Sequence, residues 1–143
     1  MSRIFAFVVS FAIMTSGLYG IYVPGTLTFT FTPNGNQGTS GSWQAIVISA
    51  DGDTYSTGPI DHSIETPVSL QVVSPSSGLI ELGCYVIELV CRIDGPVSGP
   101  FLDLITVQCT SSAVTWDTIT YRDFPTLANG ENSEIYYSIP STQ

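Results

Sequence analysis

The chain has 143 residues, no lysine, and three arginines against twelve aspartates and glutamates, for a formal net charge of -9 at pH 7. A single domain accommodates this length, and the lack of clustered cations argues against nucleic acid and anionic lipid surfaces as partners. Polarity has to come from Ser, Thr, Asn, Gln and Gly, while plentiful aromatic and β-branched residues argue against disorder.

Residues 1–20 carry one cation, Arg3, then an apolar run from Ile4 to Met14, then small residues at Thr15, Ser16 and Gly17. This is the layout of a secretory signal peptide. Cleavage is expected after Gly17, with Gly20 as a second position. The competing reading is an uncleaved anchor, since Ile4 to Val23 is an uncharged run of about 20 residues, long enough to span a bilayer. Either way, residues 21–143 are expected as one exported domain, secreted or held at the cell surface. Membrane contact is expected only if the segment stays uncleaved.

Beyond this segment the hydrophobic period is two almost throughout. In "TLTFTFT", Thr26, Thr28, Thr30 and Thr32 alternate with Leu27, Phe29 and Phe31, and Pro33 closes the strand because it cannot donate to a ladder. "PNGNQGTSGS" reads as a loop. In the next strand Trp43, Ala45 and Val47 share one face, with Trp43 expected in the core. Asp51-Gly52 predicts a two-residue type I′ hairpin turn, with a return strand over 53–57. Val68, Leu70 and Val72 then line one face of a further strand.

"SGLIELGCYVIELVCRI" reads as one long strand bent at Gly83, or as two, with burial on both faces near its centre. "FLDLITVQCTS", "AVTWDTITYRD" and "SEIYYSIP" complete the set. About seven to nine short strands separated by turns predict an all-β fold, an antiparallel β-sandwich of immunoglobulin-like or jelly-roll-like type, with a closed barrel as the alternative.

The three cysteines, Cys84, Cys91 and Cys109, match no zinc spacing, and export favours a disulfide. On one extended strand Cys84 and Cys91 would lie about 23 Å apart, beyond the roughly 7 Å that a disulfide spans. A hairpin of 84–93 with 101–110 would place Cys84 opposite Cys109, so the expected disulfide is Cys84–Cys109, with Cys91 a small core residue or an intermolecular link. A Cys91–Cys109 bridge between sheets is the other arrangement. The same hairpin would bring Arg92 to Asp103.

Chemistry-bearing motifs are sparse. His62 lies between Asp61 and Ser63, but adjacent strand residues point apart, and no nucleophile elbow is present. Asp51 and Asp53 resemble part of a Ca²⁺ loop without its remaining ligands; a turn site would need another carboxylate, such as Asp61. Glu81, Glu88, Asp103 and Asp117 are the carboxylates available for glycoside chemistry. Trp116 and Tyr121 could line a sugar-binding face. No catalytic residue, metal site or cofactor is therefore expected.

The expected function is that of a non-catalytic structural or adhesive protein. One form of it is a filament or surface-layer subunit in which Leu27, Phe29 and Phe31 are the apolar side of a self-assembly strand donated to a neighbour. The alternative is a monomeric extracellular binding module whose loops recognise a receptor, a glycan or an apolar ligand. Expected partners are copies of the chain itself, or an extracellular protein or glycan.

Overall fold

A computed structural model of the chain describes residues 21–34, 38–74, 77–95, 102–113, 117–122 and 132–138. These residues form eleven strands and no helix: β1 (Ile21–Pro24), β2 (Thr26–Pro33), β3 (Ser40–Ile48), β4 (Thr54–Ser56), β5 (Ile60–Asp61), β6 (Val68–Val72), β7 (Leu79–Leu82), β8 (Cys84–Asp94), β9 (Leu102–Thr110), β10 (Ile119–Tyr121) and β11 (Asn132–Ser138). All pairing is antiparallel. One sheet has the order β10-β9-β2-β6 and the other β11-β8-β3-β4, with β5 also on β3.

The alternating strands bury one parity each, and the two buried faces close on one another as a β-sandwich. Leu27, Phe29 and Phe31 of β2 and Ile105 and Val107 of β9 come from one sheet. Trp43, Ala45 and Val47 of β3 and Tyr85, Ile87, Leu89, Cys91 and Ile93 of β8 come from the other. Ring contacts among the described residues join the layers: Phe29 with Tyr85 at 5.9 Å between ring centroids, and Phe31 with Trp43 at 6.4 Å, edge to face. Such tilted geometries are those the ring quadrupoles favour.

"SGLIELGCYVIELVCRI" resolves into two strands, β7 and β8, that take different partners on either side of Gly83. β8 is buried on one face only, with Val86 and Val90 half-buried and Arg92 exposed on the other. On that outer face the half-buried valines lie between the neighbouring strands β3 and β11. β1 and β7 form a separate two-stranded ribbon. β1 continues through Gly25 into the first sheet, and β7 continues through Gly83 into the second, so the ribbon ties the two layers at one end.

Gly25 has φ +148°, and a methyl group there would sit 2.4 Å from the Thr110 carbonyl oxygen. Gly52 also has positive φ, +93°, but a methyl group there meets nothing within 4 Å. Gly25→Ala is therefore expected to cost about 2–3 kcal/mol and Gly52→Ala about 1 kcal/mol. Urea unfolding of both variants checks this, and equal midpoints would contradict the tight corner.

The turn after β3 differs from the expected type I′ form. The Gly52 N–H donates to the Ser49 carbonyl at 2.9 Å, and the Ser49 N–H donates to the Asp53 carbonyl at 2.9 Å. The loop is thus the three residues Ala50, Asp51 and Gly52, with the glycine in the left-handed position that closes a bulged hairpin. An Asp-Gly pair serves either turn, and the extra residue changes which side chains the loop presents.

Candidate functional site

The expected site residues separate in the fold. β2 is paired on both edges within its own chain, to β9 and to β6. Leu27, Phe29 and Phe31, expected as a self-assembly strand, have no exposed surface and fill the chain's own core. Over Leu27–Phe31 both ladder edges of β2 are taken up by strands of its own chain.

The hairpin that would have joined Cys84 to Cys109 does not form. β8 and β9 lie in opposite sheets, β8 pairing β3 and β11 while β9 pairs β2 and β10. No disulfide joins the three cysteines in the structure: Cys84 is exposed, Cys109 half-buried and Cys91 buried in the core. The same separation removes the register that would have set Arg92 beside Asp103. The expectation failed because the connection after β8 crosses between sheets, which local pattern does not reveal.

At "IDHSIE", the Asp61 carboxylate accepts hydrogen bonds from the Ser63 backbone N–H and hydroxyl, and these bonds hold it below its ordinary pKa. His62 Nε2 is 4.0 Å from Asp61 Oδ2. The serine is bound by the acid, not by the histidine, so this is a turn and not a nucleophile–base pair. Trp43 is in the core as expected, and Tyr121 is half-buried against the core. Trp116 and the loop residues 35–37 and 126–131 lie outside the described residues.

The fold does assemble one polar cluster, around Glu81. β7 places Ile80 and Leu82 in the core and Glu81 beneath the β3–β4 turn, where only 6% of it is exposed. Its carboxylate accepts hydrogen bonds from the Asp51 backbone N–H and the Ser49 hydroxyl. The same hydroxyl accepts the Asp53 N–H at 3.2 Å. Below it, the Tyr85 hydroxyl donates to the Glu81 carbonyl. One carboxylate oxygen, Oε2, is buried without a partner among the described residues.

The electrostatics follow from this packing. Burial first, and then the Asp51 and Asp53 carboxylates, push Glu81 up to about 7, against the two hydrogen bonds it accepts. Asp51 is itself raised by burial and by Asp53. Burial and the neighbouring acids raise the Tyr55 phenol, and burial, Glu81 and Tyr55 raise Tyr85 far above its ordinary range. Tyr22, Asp53, Tyr55, Leu79, Glu81 and Tyr85 line a small cleft with about 20 Å³ of free space, room for one water-sized group.

A carboxyl that titrates near neutrality beside a second acid is the raw material of general acid–base catalysis, but a sugar ring is far larger than this cleft. Among the described residues, no three His, Cys, Asp or Glu side chains stand close enough to hold a metal ion. Asp61, the expected extra carboxylate for the Asp51–Asp53 turn, is engaged with Ser63; the acid that reaches the turn is Glu81. The sequence signal for it was a lone glutamate inside the apolar run "LIEL".

A second feature is the outer face of the β10-β9-β2-β6 sheet. Thr120, Thr106, Thr30 and Ser69 line up across all four strands, and Gln108, Thr28 and Gln71 form the next row. The Thr30 and Ser69 hydroxyls are 3.2 Å apart. Thr26, Thr32, Leu104 and Thr110 extend the array, and none of these residues is charged. No protein-family model matches the chain, and neither a curated protein nor a solved structure matches it.

Proposed function

We propose that this chain is an exported, non-catalytic domain that works by contact, and that the Thr/Ser/Gln face of its four-stranded sheet grips an uncharged, hydroxylated partner, a neutral glycan. The observation that carries this reading is the array itself. Strand geometry sets the hydroxyl and amide groups on a grid of about 4.8 by 6.7 Å, on a rigid sheet whose reverse side is the core. In a chain of net charge -9, rows of uncharged Thr, Ser and Gln side chains leave hydrogen bonding as the means of recognition along them. The water-sized cleft at Glu81 supports the non-catalytic reading, since it admits no sugar. The filament form of the contact reading loses its expected device, because β2 is enclosed.

The test is retention on neutral polysaccharides, such as cellulose, chitin and mannan, from low to molar salt. Retention on at least one is expected, and salt should leave it unchanged because no ion pair is involved. Thr30→Glu with Thr106→Glu should reduce it at least tenfold, while Thr54→Glu on the opposite sheet should not. The proposal fails if no polysaccharide retains the folded chain, or if all variants are retained alike. Light scattering is expected to give a monomer.

A further inference from the structure

The Glu81 cluster joins a fixed element to a movable one. β7 is held by four rungs to β1, by Ile80 and Leu82 in the core, and by the Tyr85 hydroxyl on the Glu81 carbonyl. The β3–β4 turn above it is exposed at Ala50, Asp51, Gly52 and Asp53, and the hairpin behind the turn has three rungs. Between the two lies a carboxyl group on a residue 6% exposed, whose Oε2 has neither solvent nor a donor among the described residues.

We propose that this contact is a pH-operated latch: the turn is closed on β7 while Glu81 is protonated, and ionisation of Glu81 lifts the turn away while both sheets of the sandwich stay folded.

The packing sets the direction. A charge spread onto Oε2 finds no water and no hydrogen bond there, and an unpaired buried charge is costly. The charged groups that act on Glu81, Asp51 and Asp53 of the turn, are both acids. Its other titratable neighbours are phenols: Tyr22 opposite it on β1, Tyr55 on β4 and Tyr85 on β8. None of these supplies a positive charge. Lifting the turn carries both aspartates away and admits water to the carboxylate, at the cost of the hydrogen bonds from the Asp51 N–H and the Ser49 hydroxyl. Moving β7 instead would draw Ile80 and Leu82 out of the core, so the turn is the part that yields.

The sign follows by linkage. In the closed arrangement Glu81 is pushed up to about 7, first by burial and then by Asp51, and in water it returns toward its ordinary 4.5. The closed turn therefore holds the proton between these values. Its advantage is complete below about 4.5 and is lost as pH rises through about 7.

The test is backbone amide hydrogen exchange by NMR, with each rate divided by its intrinsic rate at that pH. The reporters are the amides of Ser49 and Gly52, which donate to the Asp53 and Ser49 carbonyls at 2.9 Å, and that of Asp53, which donates to the Ser49 hydroxyl at 3.2 Å. Protection at all three is expected to fall at least about tenfold from about pH 5 to about pH 8. Low concentrations of urea should leave these rates unchanged, because a local opening exposes little surface. The Thr39 amide, which donates to the Asp94 carbonyl at 2.8 Å at the other end of β3, should keep its protection throughout. In Glu81→Gln the fall at the three reporters should vanish.

Reporter protection that does not change with pH, that falls equally at Thr39, or that still falls in Glu81→Gln would overturn the proposal. So would reporter rates that rise with urea as steeply as those of the β2 amides, since the whole domain would then be unfolding. The Thr39 and urea comparisons use the parent chain, so they decide the matter even where Glu81→Gln folds poorly. None of these outcomes bears on the polysaccharide reading, which rests on the outer face of the other sheet.

Discussion

Phe29→Ala is expected to lower the unfolding free energy by about 3–5 kcal/mol, the range for removing a buried aromatic side chain. Phe29 has no exposed surface and meets the Tyr85 ring across the sandwich. The deletion loses transfer free energy, leaves a cavity between the sheets and removes that ring contact. For a domain of this size the melting temperature should fall by roughly 10–20 °C. Domains of this kind are stable by only about 5–15 kcal/mol, so the variant should sit near the edge of folding.

Thr28→Ala, one residue away on the outer face, should change stability by no more than about 0.5 kcal/mol. Chemical unfolding of both variants, at two protein concentrations, decides the matter. The midpoints should not depend on concentration, because β2 pairs within its own chain. A concentration-dependent midpoint, or a small loss in Phe29→Ala, would mean that the strand is completed by a second molecule.

The second large effect is in the pH profile. Glu81 ionises near 4.5 when unfolded and near 7 when folded, so the folded state binds more protons between these values. Its stabilising contribution is therefore complete below about 4.5, is lost as pH rises through about 7, and is absent beyond. A tenfold change in proton affinity corresponds to about 1.4 kcal/mol. Because water reaches the cleft mouth, the expected loss is on the order of 2 kcal/mol, below the full conversion.

Glu81→Gln keeps the shape and an acceptor for the Ser49 and Asp51 hydrogen bonds while removing the charge. Its stability should be flat from about pH 5 to 8 and should exceed that of the parent chain at about pH 8. Thermal melts across this range check both claims. A parent profile that is flat or rising through pH 7 would contradict the buried, acid-flanked position of Glu81.

Much of the sandwich was legible because alternation is a local signal. The faces of β2, β3 and β6 follow from residues two apart, and Pro33 marks a strand end without tertiary information. Pairing was not legible. Whether residues 84–94 and 102–110 are adjacent depends on how the intervening loop crosses between layers, and the hairpin assumption failed there, taking the Cys84–Cys109 bond with it.

The Glu81 cluster was hidden for the same reason. Asp51 and Glu81 are 30 positions apart, and only the β1–β7 ribbon folding under the β3–β4 turn brings them together. "LIEL" carried a warning, since a glutamate with apolar neighbours on both sides needs an explanation. The threonine array, by contrast, was visible from the outset on β2 alone, and the fold extended it to four strands.

The short ribbon at one end of the sandwich also makes the molecule mechanically uneven. A pull applied at Ile21 loads the four pairs of β1 against β7 before it reaches β2, which is locked between two neighbours over Leu27–Phe31. The ribbon should peel at low force and β2 should resist to high force. Because Tyr22 is both a rung of that ribbon and part of the cleft wall, traction would pull open the Glu81 cleft while the rest of the body still bears weight.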